Sequence, residues 1–425
     1  MKPITPHSDT KADTESDTAA QICTPTKRAL LWNALLQEPL IVVLGLVATM
    51  LVKEFQATPL EISLFTMTRP VMSLVSFYFA SFLLERGTSL KKQLLTTGLL
   101  SRIPFFFFPW LEEPWQIIVC TGLYMTLSFT GLPAWIEVLK IKLPSRQRHR
   151  LFSSSAVWAY VEGLVLAIIF GNLFNHAHGS WRYIFPVCAL VGIVSLFWQA
   201  QIPLYSKPLI PFHGGDLSSR LLRPWKRTFN LLASHPDFLR FQIGFMICGA
   251  AIMLVYSVVP HYFVNHLKVS YKDIAIAIAF FKALGYTLTS TKWARTLERH
   301  SLFKVSSLIF ATLFFFPLVL VAAEYESRLL YLAYAIYGVG LAGNHLVWHM
   351  SSTIFSGQQE SGPYSTVNVL MVGVRGVVFP LLGAYLGQLW GIEVVLVLAS
   401  LMCFAAATFM HFCKKVNKTT TYRAL

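Results

Sequence analysis

Seven carboxylate, lysine or arginine side chains fall inside long apolar runs of this chain: Glu38, Arg69, Arg102, Glu137, Glu162, Lys282 and Arg375. At the centre of a bilayer such a side chain costs about 2.5 to 3.5 kcal/mol, so each needs a partner, a water-filled cavity or a task. Low dielectric favours the neutral form of a carboxylate, which makes Glu38 and Glu162 candidates for exchanging a coupling proton. Pro39 follows Glu38 and withholds a backbone donor, opening the helix locally. His345 and His349 stand four apart, a spacing that puts two imidazoles on one helix face. No third ligand stands nearby, so they are read as cavity-lining groups beside Asn344 and Trp348 rather than as a metal site. The six cysteines lie mostly in apolar runs without CxxC spacing and read as small buried hydrophobes. No metal or cofactor is expected.

The elements that carry these residues are membrane spans. Of 425 residues, 55% are hydrophobic and only 13% charged, and runs of about 20 apolar residues match the bilayer core. Spans are expected at Leu30 to Val52, Ile62 to Leu84, Leu94 to Trp110, Trp115 to Leu139, Leu151 to Phe174 and Tyr183 to Ile202. Six more follow at Phe241 to Phe263, Ile274 to Ser290, Val305 to Ala323, Leu329 to Ser352, Tyr364 to Leu389 and Val394 to Phe412. With the amino terminus inside, one side of the membrane receives 26 of the 35 Lys and Arg residues. Both termini are therefore expected in the cytoplasm and the protein in the cell's inner (plasma) membrane. The charge of +15 then belongs to a lipid surface rather than to nucleic acid.

The expected organisation is a disordered cytoplasmic tail over 1–28, a six-helix bundle over 29–202, a linker over 203–240, a second bundle over 241–413 and a tail over 414–425. The stretch Ser218 to Ala233 of the linker mixes Arg220, Arg223, Lys226 and Arg227 with Leu221, Leu222, Trp225 and Phe229, an interfacial amphipathic pattern. Sliding the chain by 213 residues places Leu84, Glu85 and Arg86 on Leu297, Glu298 and Arg299. The same offset brings Pro104 onto Pro317, Tyr124 onto Tyr337, Trp135 onto Trp348 and Gly163 onto Gly376. It also superposes Arg69 on Lys282 and Glu162 on Arg375. Trp, Pro and charged residues match poorly by chance, so the two bundles are read as a duplication with a site between them.

Three local patterns resemble those of the major facilitator superfamily. Leu83, Leu84, Glu85 and Arg86 with Lys91 and Lys92 are similar to its Gly-x-Leu-x-Asp-Arg-x-Gly-Arg-Lys signature, with a copy at 297–304. Ser81 stands where the first Gly belongs and Glu replaces Asp. Pro133, Glu137, Pro144, Arg146 and Arg150 resemble the family's acid, proline and arginine pattern, and Gly179, Trp181, Arg182 and Phe185 resemble its Gly-x-Trp-Arg-x-x-Phe motif. The resemblance implies an all-α membrane fold of twelve helices in two repeat-related bundles. It places the second span beside the eleventh and the fifth beside the eighth. Glu162 is then expected to pair with Lys282, while Arg69 and Arg375 share an interface without an acid at their depth. Two such guanidinium forks suit a carboxylate or phosphate; the alternative is that they bond backbone carbonyls and hold helices together. Arg102, on a peripheral span, is read as structural. The resemblance also makes Glu85 with Arg86 and Glu298 with Arg299 the cytoplasmic lock between the halves.

The expected function is secondary active transport of a small organic anion by alternating access, coupled to protons or another ion, because no Walker loop or nucleotide domain is present. The anticipated partners are the solute, the coupling ion and membrane lipids, and the working unit a monomer. The alternative is export of amphipathic compounds, suited to 33 Phe and 11 Trp. Gly163 is followed by Leu164 and Val165, not by the Gly-x-x-x-Gly-Pro motif of many drug exporters, which weakens that alternative. A membrane sensor or enzyme is the third class. The short loops hold no nucleophile, base and orienter constellation, so no enzymatic activity is expected.

Overall fold

The computed structural model describes residues 9–85, 89–143, 145–177, 179–203, 217–357 and 362–413. Its first half comprises α1 (Asp9–Leu44), α2 (Val47–Phe55), α3 (Pro59–Glu85), α4 (Leu90–Arg102), α5 (Pro114–Lys142), α6 (Ser145–His176) and α7 (Trp181–Ala200). The amphipathic α8 (Leu217–Ser234) connects it to α9 (Pro236–His261), α10 (Tyr271–Ile276), α11 (Lys282–Arg299), α12 (Leu302–Ala322), α13 (Leu329–Ser356), α14 (Gly362–Trp390) and α15 (Ile392–Phe412). Among the described residues there is no strand, and nine helical segments are long and apolar enough to cross a membrane. Helices satisfy every backbone donor internally, which is what hydrocarbon demands.

Sequence punctuates these helices. Pro104 and Pro109 each remove a donor, and the chain between them winds as a 3-10 helix over Ile103–Trp110. Phe105 and Phe108 on that segment are fully buried against Phe185 of α7, at ring separations of 5.8 and 4.5 Å. Ser89 and Ser301, one residue off the 213-residue offset, each cap a helix by accepting from the backbone N–H of Lys92 and Lys304 respectively. A π turn over Ala277–Phe281 shifts the helical phase immediately before Lys282. α1 starts at Asp9, well upstream of the apolar run and inside the stretch whose composition predicts a disordered tail. The segment has no Gly, and its first Pro is Pro25, so a helix anchored in the bundle propagates at little cost per residue. α8 turns Thr228 and Leu232 inward and leaves Lys226, Arg227 and Phe229 exposed.

Candidate functional site

The two halves meet through small residues. Gly373, Gly376 and Pro380 lie on one stripe of α14, where a Cβ at Gly373 would strike Leu74 and one at Gly376 would strike Pro70 of α3. Farther along the same stripe Ser63 Oγ donates to the Pro380 carbonyl at 3.0 Å. Close backbone approach of this kind is how helices associate where no water drives them together. The pairing of the second span with the eleventh, implied by the resemblance, is therefore present, and so is that of the fifth with the eighth. There Gly171 of α6 packs directly on the Lys272 backbone, with room for no side chain: a Cβ would come to 2.9 Å of Lys272 Cα.

That second contact belongs to a closure at the end of the molecule away from the basic loops. Asn175 Oδ1 accepts from the Tyr271 backbone at 3.0 Å, and the Phe174 ring meets Tyr271 edge-on at 5.4 Å. Lys53 Nζ donates to the Val269 carbonyl at 2.7 Å and lies 4.4 Å from the centre of the Tyr271 ring. The Tyr271 hydroxyl reaches Glu54 Oε1 at 3.4 Å. Residues of α2 and α6 thus clasp one aromatic side chain at the start of α10.

Behind the closure lies a cavity of about 630 Å³ between the halves. Glu38, Arg69, Tyr124 and Ser128 line it from the first half, and Lys282, Tyr286, Thr287 and His345 from the second. Ile41, Val42, Phe129, Ile278 and Leu341 supply its apolar walls. Arg69 and Lys282 have no ion pair or hydrogen bond with any described residue, and their positive charges act on one another and on His345. His345 Nδ1 lies 3.4 Å from the Tyr286 hydroxyl. Glu38 rests against Gly163, where a Cβ would overlap its Oε1 and the carboxylate would have to shift. Glu38 also lacks a described bonding partner and feels the charge of Glu162.

Several expectations need correction. Arg375 does not line this cavity: it is 6% exposed, its Nη1 donates to the Phe245 carbonyl at 3.0 Å, and its guanidinium sits 5.0 Å from the centre of the Phe245 ring. The reason is angular. Gly376 faces α3, and its neighbour Arg375, about 100° round the helix, must face α9, where Gly249 leaves the space. The carbonyl-bonding alternative therefore describes Arg375. Glu162 forms no pair with Lys282 among the described residues; its Oε2 is buried without a partner. The same one-residue logic applies, since Gly163 is the residue facing Glu38. Asn344 and Trp348 do not line the cavity, and the Trp348 indole N–H is buried without an acceptor. Arg102 is 4% exposed and donates to Ser101 Oγ at 2.7 Å and to the Gly98 carbonyl, beside Gly192 of α7. Arg86 and the Glu85 side chain lie outside the described residues, while Glu298 and Arg299 are exposed.

The sequence reading overlooked Tyr124, Ser128, Tyr286, Thr287 and the Tyr271 clasp. A signal existed for three of them. Tyr124 precedes Ser128 by four residues and Lys282 precedes Tyr286 by four, so each pair shares a helix face. Nothing local marks Tyr271.

A sequence profile of the Major Facilitator Superfamily matches residues 40–371. No curated protein sequence matches the chain. Among solved structures it is similar to a variant of the nucleoside transporter NupG, with a TM-score of 0.74 at 12% identity over 92% of this chain and 100% of that one. It is also similar to a POT family transporter in complex with 5-aminolevulinic acid, with a TM-score of 0.73 at 11% identity over 92% and 96% of the two chains. A D-xylose-proton symporter aligns with a TM-score of 0.66 at 13% identity over 91% and 96%. At these identities the likeness speaks for the fold alone, and the profile speaks for descent: the chain belongs to the Major Facilitator Superfamily.

Proposed function

We propose that this protein is a secondary active transporter of a small organic anion, working by alternating access as a monomer in the inner membrane, with both termini cytoplasmic. One observation carries the reading: Arg69 and Lys282, which the internal repeat superposes, reach one cavity from opposite halves, and no carboxylate among the described residues bonds to either. Two desolvated cations held in this way are offset by water or by an anion, and an anion touching both ties the halves through the solute itself. The Tyr271 clasp supports a carrier closed on its outer side, awaiting solute from the cytoplasmic end or releasing it there. Glu38 and Glu162 are the carboxylates through which a proton gradient would act, and Glu298 and Arg299, with Glu85 and Arg86, form the inner lock. No step of this cycle makes or breaks a covalent bond, so no enzymatic role is assigned.

The apolar walls favour a second reading, export of amphipathic compounds. Uptake into proteoliposomes separates the two. Labelled carboxylates and phosphate esters, offered with and without an inward proton gradient, should accumulate in vesicles carrying the native protein and not in those carrying Arg69→Gln. Accumulation of lipophilic dyes alone, indifferent to Arg69→Gln, would replace the anion reading with the exporter one.

A further inference from the structure

The cavity presents two kinds of unanswered charge on different walls. Arg69 and Lys282 stand on α3 and α11, His345 of α13 shares their cavity, and no carboxylate among the described residues bonds to either cation. Glu38 stands on α1 against Gly163, and no base among the described residues bonds to it. All three line one cavity, yet among the described residues no ion pair joins Glu38 to Arg69 or Lys282, so the two signs are left unneutralised within the site. A simple structural salt bridge would have done the opposite, because opposite charges in low dielectric pair wherever geometry allows. The same cavity is lined by Ile41, Val42, Phe129 and Leu341, which offer nothing to a polar group and suit methylenes.

We infer that the transported solute is a zwitterion, an amino acid or amino-acid-like compound whose carboxylate is held by Arg69 and Lys282 and whose ammonium group is held by Glu38. This deepens the organic-anion reading and rests on it. A bound zwitterion answers all three groups at once, whereas a plain anion leaves Glu38 unmatched and a plain amine leaves the cations unmatched. Discrimination follows from that mismatch, since a site built for a polar group rejects the analogue lacking it. The Tyr124, Ser128, Tyr286 and Thr287 hydroxyls supply neutral donors and acceptors around the charged ends.

Matched compounds test the inference on the purified full-length protein through ligand-induced melting shifts. The zwitterions are glycine, γ-aminobutyrate and ε-aminocaproate, the anions acetate, butyrate and caproate, and the cations methylamine, butylamine and hexylamine. At one chain length the zwitterion should bind at least about tenfold more tightly than its anion, a difference of about 1.4 kcal/mol. Glu38→Gln should erase that preference, while Lys282→Gln should weaken the binding of anion and zwitterion alike. If Glu38→Gln fails to fold, the comparison of compounds on the native protein still decides the matter. Equal affinity for zwitterion and anion, or a preference that survives Glu38→Gln, overturns the inference and leaves the organic-anion reading standing. A preference lost in Glu162→Gln but kept in Glu38→Gln overturns the assignment to Glu38. A panel in which neither anions nor zwitterions bind overturns both readings.

Discussion

The clasp around Tyr271 and the cavity beneath it use similar residues in opposite ways. In the clasp Lys53, Asn175, Glu54 and the Tyr271 hydroxyl all find partners, and Gly171 lets two backbones touch. In the cavity Glu38, Arg69 and Lys282 find none among the described residues. Satisfied polar groups hold a conformation, whereas unsatisfied ones in a roomy site are available to water and solute. Arg375 sharpens the contrast, for it is as buried as the clasp's core and answers to a carbonyl and an aromatic ring.

The largest way to break the comparison is to give Gly171 a branched side chain. Gly171→Val places two extra carbons where Cβ alone meets the Lys272 backbone, so the outer closure cannot form. In a background with its native cysteines replaced, a cysteine at Ser128 in the cavity should then react from outside with an impermeant maleimide, while the Gly171 parent stays protected. Protection in both would mean that the clasp is not what seals the cavity.

Next in size is removal of a cavity cation. Arg69→Gln or Lys282→Gln should weaken anion binding by about 1.5 to 3 kcal/mol, the value of a lost charge-assisted hydrogen bond, and leave the melting temperature of the unliganded protein unchanged or higher. A large loss of stability without ligand would show that these cations are structural after all.

Arg375 should behave in the reverse sense. Arg375→Gln removes the charge-assisted bond to the Phe245 carbonyl and the guanidinium's contact with the Phe245 ring, at a cost of about 1.5 to 3 kcal/mol of stability, yet the melting shift produced by a saturating anion should match that of the native protein. A reduced shift would bring Arg375 back into the site.

The smallest effect is expected from Tyr271→Phe. It removes one long contact to Glu54 and keeps the ring, so about 0.5 kcal/mol or less should move toward the outward-open state, seen as a slight rise in maleimide labelling at Ser128→Cys. Labelling as strong as in Gly171→Val would locate the seal in the hydroxyl and not in the packing.

What could be read from the chain follows from properties that each residue carries alone or with near neighbours. Hydropathy sets the spans because hydrocarbon tolerates no unpaired backbone; the 213-residue offset exposes the duplication; and an ion inside an apolar run announces itself by its cost. The superposition of Arg69 on Lys282 is visible in the chain too, yet the expected companion of Arg69 is Arg375 and that of Lys282 is Glu162, whereas Arg69 and Lys282 are the cations that line one cavity. Which way a side chain points is a different kind of fact. Arg375 and Gly376 are adjacent in sequence, but α14 gives its glycine stripe to α3, and that choice turns the arginine toward Phe245. Gly163 faces Glu38 and thereby keeps Glu162 from Lys282. Helical periodicity determines such angles only relative to one another; packing between helices distant in sequence determines where the whole set is aimed. Tyr271 is the extreme case, ordinary in its own segment and decisive only where α2 and α6 close around it.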